Sequence, residues 1–218
     1  MRCIRLVLGE TFVNHPLSPT ARATRRRILD GAGRVFAAIG IRNATVRDIL
    51  LEAEVSRRTF YLYFPNTDAV RGELYRELAD RMLDAIEKAL DSTPDPIAQI
   101  GASISAYIDV HIQGGPLVTV LMADSLGPDS PLGPHREAAV QRWIGLLAGA
   151  VARTGLPPLE PLLLRGLITG IEGIAIHAKA NNLFDAAHRP VLETTMKTLT
   201  MQILAAGPMY EQLHKTPR

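Results

Sequence analysis

Cysteine is all but missing. The 218-residue chain has one, Cys3, so no internal disulfide can form, and such usage favours a cytosolic compartment. Aromatic residues are scarce at 5%, within a hydrophobic total of 47%. A core built mostly from Leu, Ile and Ala suits packed helices and argues against disorder. Long hydrophobic runs are missing too. The run Ile4–Leu8 is broken by Arg5 and is too short for a signal-peptide core, while the apolar stretch 162–176 carries Arg165 and Glu172, which argues against a membrane span. There is no nucleophile elbow, phosphate-binding glycine loop or dinucleotide fingerprint. The six histidines lack the spacing of a metal site, so neither metal nor cofactor is expected. Glu172 and His177 share a helix but point to different faces, which disfavours an acid–base pair.

Net charge is small as well, at +2, and alone would not suggest nucleic acid. Its distribution does. Residues 20–64 hold nine Arg against four Asp and Glu, whereas residues 92–218 hold nine basic against ten acidic side chains. Positive charge is concentrated where a polyanion would be met.

Within that basic stretch, Thr45–Phe64 predicts two short helices joined by a tight turn. Thr45 is an N-cap with Asp48 in capping-box position, and Val46, Ile49, Leu50 and Ala53 recur at helical spacing on one inward face. Ser56 caps the second helix; Val55 before it can staple onto Phe60, and Phe64 lies one turn beyond. Arg57 and Arg58 sit in the first turn, where a helix dipole disfavours cations unless an anionic partner is present. The arrangement reads as a helix-turn-helix presenting its second helix to the major groove. Arg57 and Arg58 would meet base edges or phosphates, with the hydroxyls of Tyr61 and Tyr63 donating to phosphate; Thr45, Ser56 and Thr59 complete the candidate surface. A solvated helical hairpin is the alternative reading of the same residues. Before it, a helix is expected over about Arg22–Ile39, with Ile28, Ala32, Val35, Phe36 and Ile39 inward and Gly40 as its stop. Its Arg25, Arg26 and Arg27 form either a solvated start or contacts to DNA backbone.

The runs RRRILDGAGRVFAAIGIRNATVRDI, VSRRTFYLYF and FPNTDAV make residues of roughly 22–75 resemble the DNA-binding domain of the tetracycline-repressor (TetR) family of bacterial regulators. The pattern V-S-x-x-T-[aromatic]-Y-x-Y-F carries most of that resemblance. Two positions depart from it. Glu54 stands where the family usually has glycine in the turn, which puts a non-glycine residue at positive φ at a cost of about 1 kcal/mol. Thr67 stands where a phosphate-binding lysine is usual, leaving a hydroxyl and helix-start amides to meet a phosphate.

Asn66 is expected to cap a helix of about six turns with the stripe Val70, Leu74, Leu78, Met82, Ile86 and Leu90; the resemblance makes it the link between DNA-binding and regulatory domains. Ser92–Pro96 is a break. Ile97, Ile100, Ile104, Tyr107, Ile108 and His111 mark the inner face of the next helix, which ends at Gly114-Gly115; Pro116 starts a short one reaching Leu126. A helix over about His135–Thr154 turns Val140, Ile144, Leu147 and Val151 inward with Trp143 beside them. Tyr107, His111, Met122 and Trp143 are the candidate wall of a largely apolar ligand pocket.

Two last helices are expected over about 160–181 and 190–206. Gly166, Gly170, Gly173 and His177 line one stripe, and Leu192, Met196, Leu199 and Ile203 another. They pack either within one subunit or, as the resemblance implies, in a four-helix dimer contact. Arg165, Glu172 and Lys179 repeat every seven residues, as on a solvated face.

The chain is therefore expected to be all-α: an arm over 1–19, a three-helix helix-turn-helix DNA-binding domain over 20–66, a helical ligand-binding and dimerisation domain over 67–207 whose linking helix is 67–91, and a tail over 208–218. The function expected is a cytoplasmic, ligand-responsive transcriptional regulator, a repressor that binds an inverted-repeat DNA operator as a homodimer and is released by a largely apolar small molecule. An architectural DNA-binding protein without a ligand and a helical enzyme are the alternatives.

Overall fold

The structure, a computed structural model, describes residues 18–155 and 157–215, with side chains through Ala206. Cys3 and most of the arm over 1–19 lie outside the described residues. Among those described, the chain forms eight α-helices and no strand: α1 (Pro19–Ile39), α2 (Val46–Glu52), α3 (Arg57–Tyr63), α4 (Thr67–Leu90), α5 (Pro96–Ser125), α6 (Gly133–Arg153), α7 (Pro161–Ala180) and α8 (Arg189–Lys215). Helix starts follow local capping chemistry. Ser18 accepts from the Ala21 amide, Asn66 from Ala69, and Asp95 from both Ile97 and Ala98. The Ser18 cap starts α1 three residues before the expected Arg22. At the other end α8 runs on to Lys215, through most of the expected tail.

Two hydrophobic cores share α4. Its first half puts Val70, Leu74, Tyr75 and Leu78 into a core with Ile28, Phe36, Ile49, Phe60 and Phe64 of α1–α3. Its second half puts Met82, Leu83, Ile86 and Leu90 into a second core made with α5–α8. The six-turn stripe predicted for this helix is buried throughout. One element therefore takes part in both hydrophobic units, and a tilt of α4 is felt in each.

Helix α5 is likewise divided. Gly115 has φ 57° and ψ −146°, a conformation that side chains with a Cβ avoid, and Pro116 follows it. The predicted stop at Gly114-Gly115 is thus a kink inside a longer helix. Beyond it, Val118, Leu121 and Met122 join the first core rather than the second. Two expected inward residues face outward: Ile39 at the end of α1 is 45% exposed, and Ile97 at the start of α5 is 67% exposed. Each sits on the terminal turn of its helix, where the neighbouring helices no longer cover the stripe.

By length and composition α7 could cross a membrane. Yet Leu164, Leu167, Ile168, Ile171, Ala175 and Ala178 are buried in this chain's own core. Glu172 is buried as well and paired with Arg136 of α6, so the Arg165–Glu172–Lys179 row is not a solvated face.

Candidate DNA-binding surface and ligand cavity

The helix-turn-helix forms as the residues dictate. The Thr45 amide donates to Asp48 Oδ2 at 2.9 Å, and the Asp48 amide donates to Thr45 Oγ1 at 3.3 Å, closing the capping box. The Thr45 hydroxyl, which also donates to Asp48 Oδ2 at 2.6 Å, and then the Thr45 amide hold the Asp48 carboxyl below the usual carboxylate range. Ser56 accepts from the Thr59 amide at 3.1 Å and lies 2.8 Å from the Thr59 hydroxyl. Thr45, Ser56 and Thr59 therefore spend their hydroxyls on building the motif. In the turn, Glu54 has φ 50°, the left-handed conformation expected from a non-glycine residue there. Arg27 stabilises that turn, donating from Nη2 to the Ala53 carbonyl at 3.1 Å and the Glu54 carbonyl at 2.8 Å.

The other two arginines of the triple are also committed inside the chain. Arg25 makes a two-pronged ion pair with the buried Glu73 of α4, and its guanidinium lies 5.0 Å from the centre of the Phe64 ring. Arg26 pairs with Asp30 at 2.6 Å and Glu77 at 2.8 Å. These side chains fasten α1 to α4 and to the turn, so Arg25 and Arg26, expected as candidate DNA-backbone contacts, are already engaged in ion pairs within the chain.

Among the described residues from α1 to α3, four exposed arginines make no hydrogen bond or ion pair: Arg42, Arg47, Arg57 and Arg58. Arg57 and Arg58 open α3 with Tyr61 49% exposed one turn on and Tyr63 half-buried. Arg42 lies before α2, and Arg47 in its first turn. Sequence reasoning missed these two, although Arg47 carries the same signal as Arg57, a cation where the helix dipole disfavours it. Thr67 is the first residue of α4, half-buried beside this surface.

The second core encloses a cavity of about 530 Å3 between α4, α5, α6, α7 and α8. Its wall includes Tyr107 and Trp143, whose ring centres are 5.4 Å apart, together with Ile104, Leu164, Leu167 and Ile171. Among the described residues, no Asp, Glu, Lys, Arg or His lines it. Of the four candidate pocket residues, two therefore line the cavity and two do not. Met122 belongs to the first core. His111 sits behind Tyr107, its ring centre 4.6 Å away, and stacks on Phe184 at 5.1 Å. Burial, and then the charge of Lys179, push the His111 imidazole down to about 4. The cavity also reaches Gln99, Ser103, Thr200 and Met201, polar and mouth residues absent from the sequence-based list. Ser103 carried a sequence signal, one turn before Tyr107; the α8 residues carried none.

The stripes proposed for dimerisation divide as well. Leu192 and Met196 are buried in their own chain's core, and Leu199 and Ile203 pack against it. Gly170 faces Leu199 of the same chain: a Cβ there would lie 2.9 Å from Leu199 Cδ2. Gly166, Gly173 and His177 are exposed, in line with Leu162 and Thr169 on an uncharged face of α7.

A three-helix unit with a basic recognition-helix start, joined by a shared helix to a bundle around an apolar cavity, defines the class of helix-turn-helix DNA-binding regulators. Residues 28–74 match the family described as bacterial regulatory proteins, tetR family, so that segment is similar to the DNA-binding unit of those regulators. Over 87 residues it is 34% identical to the HTH-type transcriptional regulator YfiR of Bacillus subtilis, a stretch covering 40% of this chain and 40% of that relative. The fold resembles the fatty acid degradation regulator FadR of Bacillus halodurans at 17% identity and a TM-score of 0.69, over 87% of this chain and 97% of that one. It also resembles FadR of Bacillus subtilis in complex with stearoyl-CoA, at 18% identity and a TM-score of 0.64, over 83% and 96% of the two chains. At these identities the structural likeness is one of fold.

Proposed function

We propose that this regulator is a repressor that binds an inverted-repeat operator as a homodimer and leaves it when a largely apolar small molecule fills the cavity between α4 and α8. The observation that carries the reading is the course of α5. Its first half lines the cavity through Ile100, Ile104 and Tyr107; its second half, past the Gly115 kink, packs Leu117 against Gly33 of α1. Arg71 of α4 reaches Asp124 at 3.4 Å, fastening that second half to the shared helix. Occupancy that moves the first half of α5 is transmitted to the α1–α3 unit through packed contacts, a population shift between DNA-fitting and non-fitting arrangements. The cavity favours this over an architectural DNA-binding protein, and the stearoyl-CoA held by a protein of the same fold supports a long apolar ligand.

The DNA side rests on Arg42, Arg47, Arg57, Arg58, Tyr61 and Tyr63, with Thr67 at the edge. The dimer rests on the exposed uncharged face of α7 through Leu162, Gly166, Thr169, Gly173 and His177, with Val191, Thr195 and Thr198 on the outer side of α8. A two-fold protein reads two-fold DNA. Selection of bound DNA from a random pool should return an inverted repeat, and apolar compounds that quench Trp143, the chain's one tryptophan, should release it. Enrichment of single half-sites would overturn the dimer. Trp143 quenching without release would overturn the ligand-responsive reading.

A further inference from the structure

The polar atoms of the cavity are biased towards one kind of ligand. Ser103 donates its hydroxyl proton to the Ile100 carbonyl at 3.0 Å, and Thr200 donates to the Met196 carbonyl at 2.8 Å. A carbonyl can only accept, so each of these protons is spent, and what the hydroxyls offer a ligand is lone pairs. Gln99, 8% exposed, is fixed in the same way. Its Nε2 donates one of its two protons to the Thr93 carbonyl at 2.7 Å, which sets the amide's orientation and leaves Oε1 as an acceptor beside the one remaining N–H. Tyr107 holds an unspent hydroxyl proton, but that oxygen is buried.

From this we infer that the cavity selects a neutral, long apolar molecule whose buried polar group is a hydrogen-bond donor, a primary alcohol being the simplest case. The inference rests on the ligand-binding reading above and narrows it. A carboxylate brings a full charge and no proton into a wall with no charged side chain among the described residues, where its desolvation goes uncompensated. A thioester or ether brings only acceptors, which would face the lone pairs of Ser103 and Thr200. A site built to accept a hydrogen bond discriminates against analogues that cannot donate one, because its own acceptors are then left dry and unpaired.

The test uses the full-length protein, Trp143 fluorescence and three probes of equal chain length at pH 8: 1-decanol, 1-methoxynonane and decanoate. We expect 1-decanol to bind about tenfold more tightly than the ether, the worth of one good hydrogen bond, and more tightly still than decanoate. In Ser103→Ala and Thr200→Val, the preference for the alcohol over the ether should shrink towards unity while ether affinity is kept. Retained ether binding shows that the variants are folded and that their cavity is open. Equal binding of the alcohol and the ether would overturn the donor preference and leave the apolar-ligand reading standing. Tightest binding by decanoate would do the same and point to a cation at the mouth. No binding by any of the three would overturn both readings together.

Discussion

Among the arginines of the N-terminal unit, position in the sequence is a poor guide to role. Arg25, Arg26 and Arg27 read as one basic cluster, yet each is held by its own acceptors within the chain: Glu73, then Asp30 and Glu77, then the carbonyls of the turn. Removing one therefore acts on folding. Arg25→Ala leaves Glu73 buried without its main partner and should cost about 1–3 kcal/mol in urea unfolding, less than a fully buried pair because Arg25 is a third exposed. The free arginines should behave differently. Arg58→Ala should weaken binding by about 1–3 kcal/mol and relax preference at one position per half-site. Arg42→Ala and Arg47→Ala should weaken binding to every sequence alike and reduce the salt slope by about 1 each, with unfolding unchanged. Filter binding across a salt series separates these outcomes. His111 makes a pH prediction. Its folded-state value is depressed to about 4 from an ordinary 6.5, so the unfolded chain binds the extra proton between those values. The stability it contributes is complete above pH 6.5 and is lost as pH falls towards 4, with a slope of at most about 1.4 kcal/mol per pH unit. His111→Phe should flatten that limb of the stability profile; an unchanged slope would place the acid sensitivity elsewhere, with Glu172 excluded because burial moves it the other way.

At the scale of elements, α7 shows how one glycine stripe divides between an inner and an outer face. Gly170 lies towards α8 in its own chain, whereas Gly166 and Gly173 have nothing within 4 Å of where a Cβ would be. Gly170→Leu should therefore force α7 and α8 apart within the subunit and lower unfolding stability by about 1–3 kcal/mol. Gly173→Glu places a charge on the outer face instead, where a proposed partner would bury it. Sedimentation should then show monomers with a melting temperature, measured at low protein concentration, close to that of the parent. If Gly173→Glu stays dimeric, the partner docks on another face. Loss of dimer from Gly170→Leu without loss of subunit stability would return Gly170 to the interface.

For the whole molecule, two cores joined along α4 and α5 make cavity and DNA surface parts of one packed system. Coupling between two sites is reciprocal for binding free energies. If apolar ligand lowers operator affinity by some factor, operator DNA must lower ligand affinity by the same factor. Titrating Trp143 fluorescence with and without a selected operator checks this directly. Affinity at the Trp143 cavity that is indifferent to saturating operator, alongside ligand-driven release, would show that release comes from ligand bound at another site.

The amino-acid sequence by itself determined what depends on neighbours a turn or less away. The capping box at Thr45–Asp48, the Ser56 cap, the positive φ at Glu54, a break at Gly114-Gly115 and the stripe of α4 all rest on contacts, backbone limits or periodicity within a few residues, and each was legible, although the break was read as a stop and is a kink. Amphipathic period likewise marks which side of a helix is buried. It carries no information about what lies against that side. Only the tertiary structure decided that Arg25 meets Glu73 forty-eight residues away, that Met122 joins the DNA-binding core, and that Leu192 and Met196 close their own subunit. A pairing between distant segments is settled by competition among all the surfaces the chain can bury at once, and no local pattern encodes its outcome.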